Sequence, residues 1–195
     1  MKRNHDLLQL IQDRAIFFKE FLRHPQQIGS VVPSSRYLEH KVVQAGAVHR
    51  AGVVAELGPG TGGITRAVLA ALPRRGALVS IDINPRFCER IRRIDDPRLT
   101  VHCGNALELK EVLEDRGLGR PETVISGIPF STLSPEIGEA LLEMIAGLLA
   151  PGGRFVAYQL RARVRDLTEP LLGDGQVRLE LRSIPPQRVY WWVKR

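Results

Sequence analysis

Cysteine is scarce: Cys88 and Cys103 are the only two in 195 residues. Two thiols cannot build the disulfide framework of a small secreted domain, and neither has a neighbour at the C-x-x-C spacing of a zinc or redox pair. They read as buried apolar thiols of a reduced, cytoplasmic chain. Aromatics are also few, at 6%. No apolar run approaches the roughly 18 to 20 uninterrupted residues that span a bilayer. A secretory signal is excluded as well, because Gln9, Gln12 and Asp13 break up the apolar stretch from Leu7 to Ile11. Repeats, low-complexity segments and metal-ligand clusters are missing too.

What is present is an ordinary globular composition, 44% apolar and 25% charged, which excludes disorder and a collagen-like fibre. Lys and Arg number 28 against 21 Asp and Glu, giving a formal charge of +7. Such a surface suits an anionic partner: nucleic acid, an acidic membrane or a phosphorylated substrate.

From Val53 onward, strand-like runs alternate with helical ones. Val53–Ala55, Ala77–Ile81, Leu99–Val101, Thr123–Ile125 and Arg154–Tyr158 are short and rich in β-branched residues. Asn84-Pro85 and Ser134-Pro135 each read as an N-cap followed by proline at the first helical position. After Ser134, Ile137, Leu141, Met144, Ile145 and Leu148 form an apolar stripe that ends at Pro151-Gly152-Gly153. This alternation predicts a parallel sheet covered on both faces. Gln176–Ile184 and Gln187–Lys194, split by Pro185-Pro186, predict a closing antiparallel pair at the sheet edge, with Trp191 and Trp192 packing there. Arg161, Arg163 and Arg165 follow the fifth strand at period two, a pattern that offers cations to a lipid phosphate or marks a solvated edge.

Residues 1–50 read as a helical extension and 51–195 as the main domain. In the extension, Leu7, Leu8, Ile11, Ala15, Phe18, Phe21 and Leu22 share one helical face, while Gln12, Lys19, Glu20 and Arg23 fall mainly on the other. Two readings stay open. The helix packs on the domain, or it lies in the interface of an anionic membrane, where Phe17, Phe18 and Phe21 would be buried.

The chemistry concentrates after the strands. Glu56-Leu57-Gly58-Pro59-Gly60-Thr61-Gly62-Gly63 follows the first strand and opens a helix. Gly58, Gly60 and Gly63 satisfy the dinucleotide spacing G-x-G-x-x-G, with Asp82 placed to hold ribose hydroxyls. Gly58, Gly60 and Gly62 behind the acid Glu56 instead match the first motif of the class I S-adenosylmethionine methyltransferases. Gly104-Asn105-Ala106 after the third strand and Ser126-Gly127-Ile128-Pro129-Phe130 after the fourth favour the methyl donor over NAD. The latter resembles the N-[LI]-P-[YF] segment with which amino-group methyltransferases line the acceptor pocket.

Phe21–Pro25, Ile28–Ser35, the glycine loop and Val124–Pro129 occur in the same order as in the bacterial phospholipid N-methyltransferases, which the chain resembles over roughly residues 15 to 160. The resemblance implies an α/β fold: a Rossmann-like class I methyltransferase with a mostly parallel seven-stranded sheet, helices on both faces and an N-terminal helical extension. It implies methylation of phosphatidylethanolamine towards phosphatidylcholine by a cytoplasmic protein held peripherally at the inner face of the membrane. S-adenosylmethionine is the implied cofactor and S-adenosylhomocysteine its product.

Residue by residue, Glu56, Gly58, Gly60, Thr61 and Gly62 are expected to border the methionine moiety, and Asp82 to hold the ribose. Ile83, Asn105 and Ala106 are expected at the adenine, with Asn105 in place of the commoner Asp. Gly29, Ser30 and Val31 are expected to close over the donor as a lid. Ser126, Gly127, Pro129 and Tyr158 are the acceptor-side candidates, Ser126 bordering the donor as well.

The related ribosomal RNA adenine dimethyltransferases are the natural rival, and an ornithine-lipid N-methyltransferase is a further alternative. The RNA enzymes carry Asn or Asp where Ser126 stands, to accept from an exocyclic amine. An aliphatic amine needs no such acceptor once neutral. The chain is also expected to lack their C-terminal helical domain, and no aromatic-plus-Arg platform for single-stranded RNA is evident. A fold of this kind without catalysis, binding membranes or partners, is the remaining reading.

Overall fold

The computed structural model describes residues 35–183 and 186–195. A seven-stranded sheet runs through it. Its strands are β1 (Val53–Leu57), β2 (Ala77–Asp82), β3 (Leu99–Cys103), β4 (Thr123–Ser126), β5 (Arg154–Gln159), β6 (Gln176–Glu180) and β7 (Gln187–Val193). Their spatial order is β3-β2-β1-β4-β5-β7-β6. β1 to β5 run parallel to one another, whereas β7 is antiparallel to both β5 and β6. This is the mostly parallel Rossmann-like sheet expected, closed by the expected antiparallel pair.

Helices α1 (Arg36–Ala45), α2 (Gly63–Ala71), α3 (Pro85–Arg92), α4 (Leu109–Asp115), α5 (Pro135–Leu148) and α6 (Arg163–Leu172) cover it. Every residue of β4, and all of β1 but Val53, is buried, because a central parallel strand is packed on both faces. One core gathers Ala55, Leu57, Leu141, Ile145, Phe155 and Trp192. The other gathers Val42, Val54, Ile64, Val68, Val156 and Trp191. α1 contributes Leu38, Val42 and Ala45 to the second core, so residues 36–50 belong to the domain's packing rather than to a separate piece. The expected helix over residues 7–22 and the expected lid at Gly29, Ser30 and Val31 lie outside the described residues.

Both proline-marked starts are helix N-termini. Asn84 Oδ1 accepts from Arg86 N–H at 3.0 Å, and Ser134 Oγ from Ile137 N–H at 3.5 Å. On α5, Leu141 and Ile145 of the expected stripe are buried, Met144 and Leu148 pack against the same core, and Gly138 and Leu142 join them. Two expectations need correction. Arg163 and Arg165 stand on α6, a helix that period-two spacing concealed; Arg165 pairs with Glu169 at 2.7 Å, one turn on. Cys88 is buried, but Cys103 is exposed, since it ends the edge strand β3. Among the described residues no helix is long and apolar enough to cross a membrane.

Candidate functional site

The sheet order reverses between β1 and β4, and ligands of open α/β sheets bind at the carboxyl ends of strands flanking such a point. Three loops begin there by extending the ladder. Gly58 N–H donates to Ile81 O at 2.9 Å, Gly104 N–H to Asp82 O at 3.0 Å and Gly127 N–H to Leu57 O at 2.8 Å. Each loop is thereby fixed to the end of the neighbouring strand.

Between them lies a cleft. Its walls include Gly58, Gly60, Asp82 and Ile83 on one side, Gly104 and Ala106 on another, and Gly127, Ile128 and Pro129 on the third. Ile81 and Phe87 complete it; sequence reasoning missed both, since each reads locally as core. Glu56, Thr61, Gly62, Asn105, Ser126 and Tyr158 surround the cleft without lining it.

The glycine loop turns through left-handed backbone. Gly60 has φ +54° and nothing within 4 Å of where a Cβ would stand, which leaves room for a ligand. Gly58, at φ +72°, lies against Ile128 of the acceptor loop, where a Cβ would sit 3.2 Å from that side chain. Arg66 braces the turn by donating to the carbonyl of Gly62 at 3.0 Å.

Two carboxylates stand behind this loop. Asp82 accepts from Gly60 N–H at 3.2 Å and from Asn84 N–H at 2.8 Å. Burial raises its pKa, while those backbone donors pull the other way. Glu56 is wholly buried. Its Oε2 accepts from Thr65 Oγ at 2.8 Å and Ser80 Oγ at 2.9 Å, and Oε1 has no partner. Desolvation pushes its pKa up to about 7 against those two hydrogen bonds, with nearby Asp82 adding to the rise.

The acceptor loop is held by side chains. Ser126 Oγ accepts from Ile128 N–H at 3.2 Å, so the hydroxyl shapes the turn. Gln159, at the end of β5, clamps it from beyond. Its Nε2 donates to Ile128 O at 2.5 Å, and its Oε1 accepts from Phe130 N–H at 3.3 Å. Pro129 O accepts from Thr132 N–H and Oγ–H. Among the described residues no donor reaches the Gly127 carbonyl. Tyr158 Oη lies where a Gly127 Cβ would stand, so a side chain at 127 has no room. Burial, with Glu56 and Asp82 nearby, keeps that phenol protonated. Gln159 has no local sequence signal, because its partners are 29 and 31 residues away.

These residues fit S-adenosylmethionine. The unpaired Glu56 Oε1 suits a cationic ligand, the Asp82 carboxylate suits a diol, and Gly60 leaves its backbone open to close approach. Asn105 is buried, its Oδ1 taken by Leu107 N–H at 3.0 Å and its Nδ2 unpaired, which leaves a donor for an adenine ring nitrogen.

Comparison with known proteins agrees. The sequence family described as methyltransferase domain matches residues 54–153. An ornithine lipid N-methyltransferase from Singulisphaera acidiphila is 29% identical over 147 residues, covering 74% of this chain and 77% of that one. The ribosomal RNA small subunit methyltransferase H of Aromatoleum aromaticum is 33% identical over 71% of this chain, which spans only 46% of that relative. In structure, the chain is similar to the O-methyltransferase TomG from Streptomyces achromogenes in complex with SAM. The TM-score is 0.68 at 17% identity, over 91% of this chain and 88% of that one. It is also similar to the N-methyltransferase NodS from Bradyrhizobium japonicum in complex with S-adenosylhomocysteine, with TM-score 0.67 at 11% identity, over 90% and 98%. The glycine cradle, the acidic end of β2 and the family match together place this chain among the class I S-adenosylmethionine-dependent methyltransferases.

Proposed function

We propose that the chain methylates the amine of a membrane lipid, carrying phosphatidylethanolamine towards phosphatidylcholine in one to three transfers. The observation behind this reading is the acceptor loop. Ser126 Oγ accepts from Ile128 N–H, and among the described residues no donor reaches the Gly127 carbonyl. A carbonyl can accept a hydrogen bond from an aliphatic amine, and such an amine, once neutral, has a lone pair that is not delocalised into a ring.

The cofactor supplies an electrophilic methyl on a sulfonium, so the chain's task is to align, desolvate and keep the acceptor neutral. The low polarity around Ile128 and Pro129 disfavours an ammonium. The Gly127 carbonyl orients the amine, and Tyr158, kept protonated, backs Gly127 from behind the cleft wall. Pro129 and Gln159 hold the loop in register. Asp82 is the one ionisable side chain among the described residues lining the cleft, and Gly60 N–H and Asn84 N–H hold its carboxylate, so the proton released by the amine goes to solvent.

A second lipid reading is favoured by the Singulisphaera relative, whose name specifies ornithine lipid as acceptor. Methylation of ribosomal RNA is disfavoured by Ser126 in place of a side-chain amide or carboxylate. We further propose a peripheral position on the cytoplasmic face of the membrane.

Labelled donor, offered with vesicles containing phosphatidylethanolamine, vesicles containing ornithine lipid, or ribosomal RNA, tests the reading. Label is expected in lipid. Label in RNA alone overturns it, and label in ornithine lipid alone selects the second acceptor.

A further inference from the structure

β5 and β6 run in the same direction, so their carboxyl ends share one edge of the sheet with the cofactor cleft. Gln159, Arg188 and Leu179 stand in one row across β5, β7 and β6. At that row and just beyond it three leucines are exposed. Leu160 is 49% exposed, Leu179 54% and Leu181 71%. A lone exposed leucine is ordinary, but three at one strand-end rim are not scattered singles.

Arg161, Arg182 and Arg188 are exposed beside them. Arg188 donates to Leu160 O, and the Arg182 guanidinium lies 4.5 Å from the centre of the Tyr37 ring. Glu180 stands among them: its carboxylate pairs with Lys41 at 2.8 Å and accepts from Arg182 N–H at 2.7 Å, and the Arg182 charge helps hold it ionised. The rim keeps an excess of cations, Lys41, Arg161, Arg182 and Arg188, over this one carboxylate.

Ser35 stands at this rim, its Oγ 2.8 Å from Ser183 Oγ. Nucleic acid would satisfy the arginines and leave the leucines in water. An anionic bilayer satisfies both, since leucines enter the acyl boundary while arginines stay among headgroup phosphates.

We propose that the rim formed by Leu160, Leu179 and Leu181 with Arg161, Arg182 and Arg188 docks the folded domain on an anionic lipid surface. This deepens the lipid-methyltransferase reading and rests on it for its biological sense. The contact sets the open end of the cleft against the membrane, at the end of the sheet where a lipid amine would enter.

The test uses the full chain and vesicles of phosphatidylglycerol with phosphatidylcholine, which hold no amine to be methylated. Binding is thus read without turnover. Leu179→Ser with Leu181→Ser is expected to weaken vesicle partitioning at least tenfold, with unchanged melting temperature and unchanged affinity for S-adenosylhomocysteine. Arg182→Gln with Arg188→Gln is expected to weaken it too and to flatten its dependence on salt. Wild-type partitioning by the leucine variant overturns the proposal. So does loss of partitioning only in step with a lowered melting temperature, or RNA binding lost in the arginine variant while the leucine variant retains its vesicle binding. Weak methylation of lipids with intact vesicle docking would count against the lipid-acceptor reading and leave the docking rim standing.

Discussion

The two loops facing each other across the cleft are built by opposite means. The glycine loop has few side chains of its own at the ligand and takes its shape from left-handed backbone, with Asp82 and Glu56 behind it. The acceptor loop is an ordinary-φ segment tied by Ser126 within and Gln159 from another strand. A loop built from backbone tolerates one role, close approach to a fixed ligand. A loop tied by side chains can be retuned without disturbing the first. Donor affinity and acceptor turnover are therefore expected to separate under mutation.

The largest separation is expected at Asp82. Asp82→Ala removes the carboxylate offered to the ribose and should weaken donor binding by about 2 to 3 kcal/mol, measured by calorimetry. Unchanged affinity would break the comparison on its donor side.

Glu56 sharpens it through pH. Its folded pKa of about 7 exceeds the unfolded value of 4.5, so the folded state holds the proton more tightly. The stability this contributes is full below the unfolded pKa and is lost as pH rises through the folded one. Between pH 5 and pH 8 the cofactor-free wild type should lose about 2 to 3 kcal/mol more than Glu56→Gln. Denaturation curves at the two pH values check this, and parallel losses would remove the buried carboxylate from the account.

On the other side, Gln159→Leu keeps volume but leaves the buried Phe130 N–H unpaired. Turnover should fall by about tenfold, or 1 to 2 kcal/mol, with donor affinity unchanged. A variant that lost donor binding instead would show that the two loops are one unit. Smallest is Pro129→Ala, for which a few-fold loss of turnover at constant donor affinity is expected from a loosened loop, about 0.4 to 1 kcal/mol.

The same contrast explains what was legible. The glycine loop, Asp82 and the caps at Asn84 and Ser134 are local patterns, and local physics fixes them. The strands were readable because buried parallel strands need β-branched runs. Gln159 and the Ser80 hydroxyl on Glu56 depend on partners 24 to 31 residues away, so no short window of sequence contains them. Thr65 and Phe87 are nearer their partners, but each reads as an ordinary position of a helix. α6 was hidden for another reason. Its alternating arginines look like a strand edge, and Pro170 inside it reads as a breaker, yet Val164 and Thr168 bury at helical spacing.

The strand order also bears on how the chain folds while it is being made. β6 emerges before β7, yet among the described residues its strand partner is β7, which lies between it and β5. At synthesis rates of about 5 to 20 residues per second, both β6 and the outer edge of β5 stay unpaired for at least the time needed to make residues 181–193. Until β7 seats between them, the outer edge of β5 and the exposed Val177 and Leu179 of β6 are unpaired strand open to other chains or to chaperones. The last hairpin to form is thus the step at which misassembly competes with completion of the sheet.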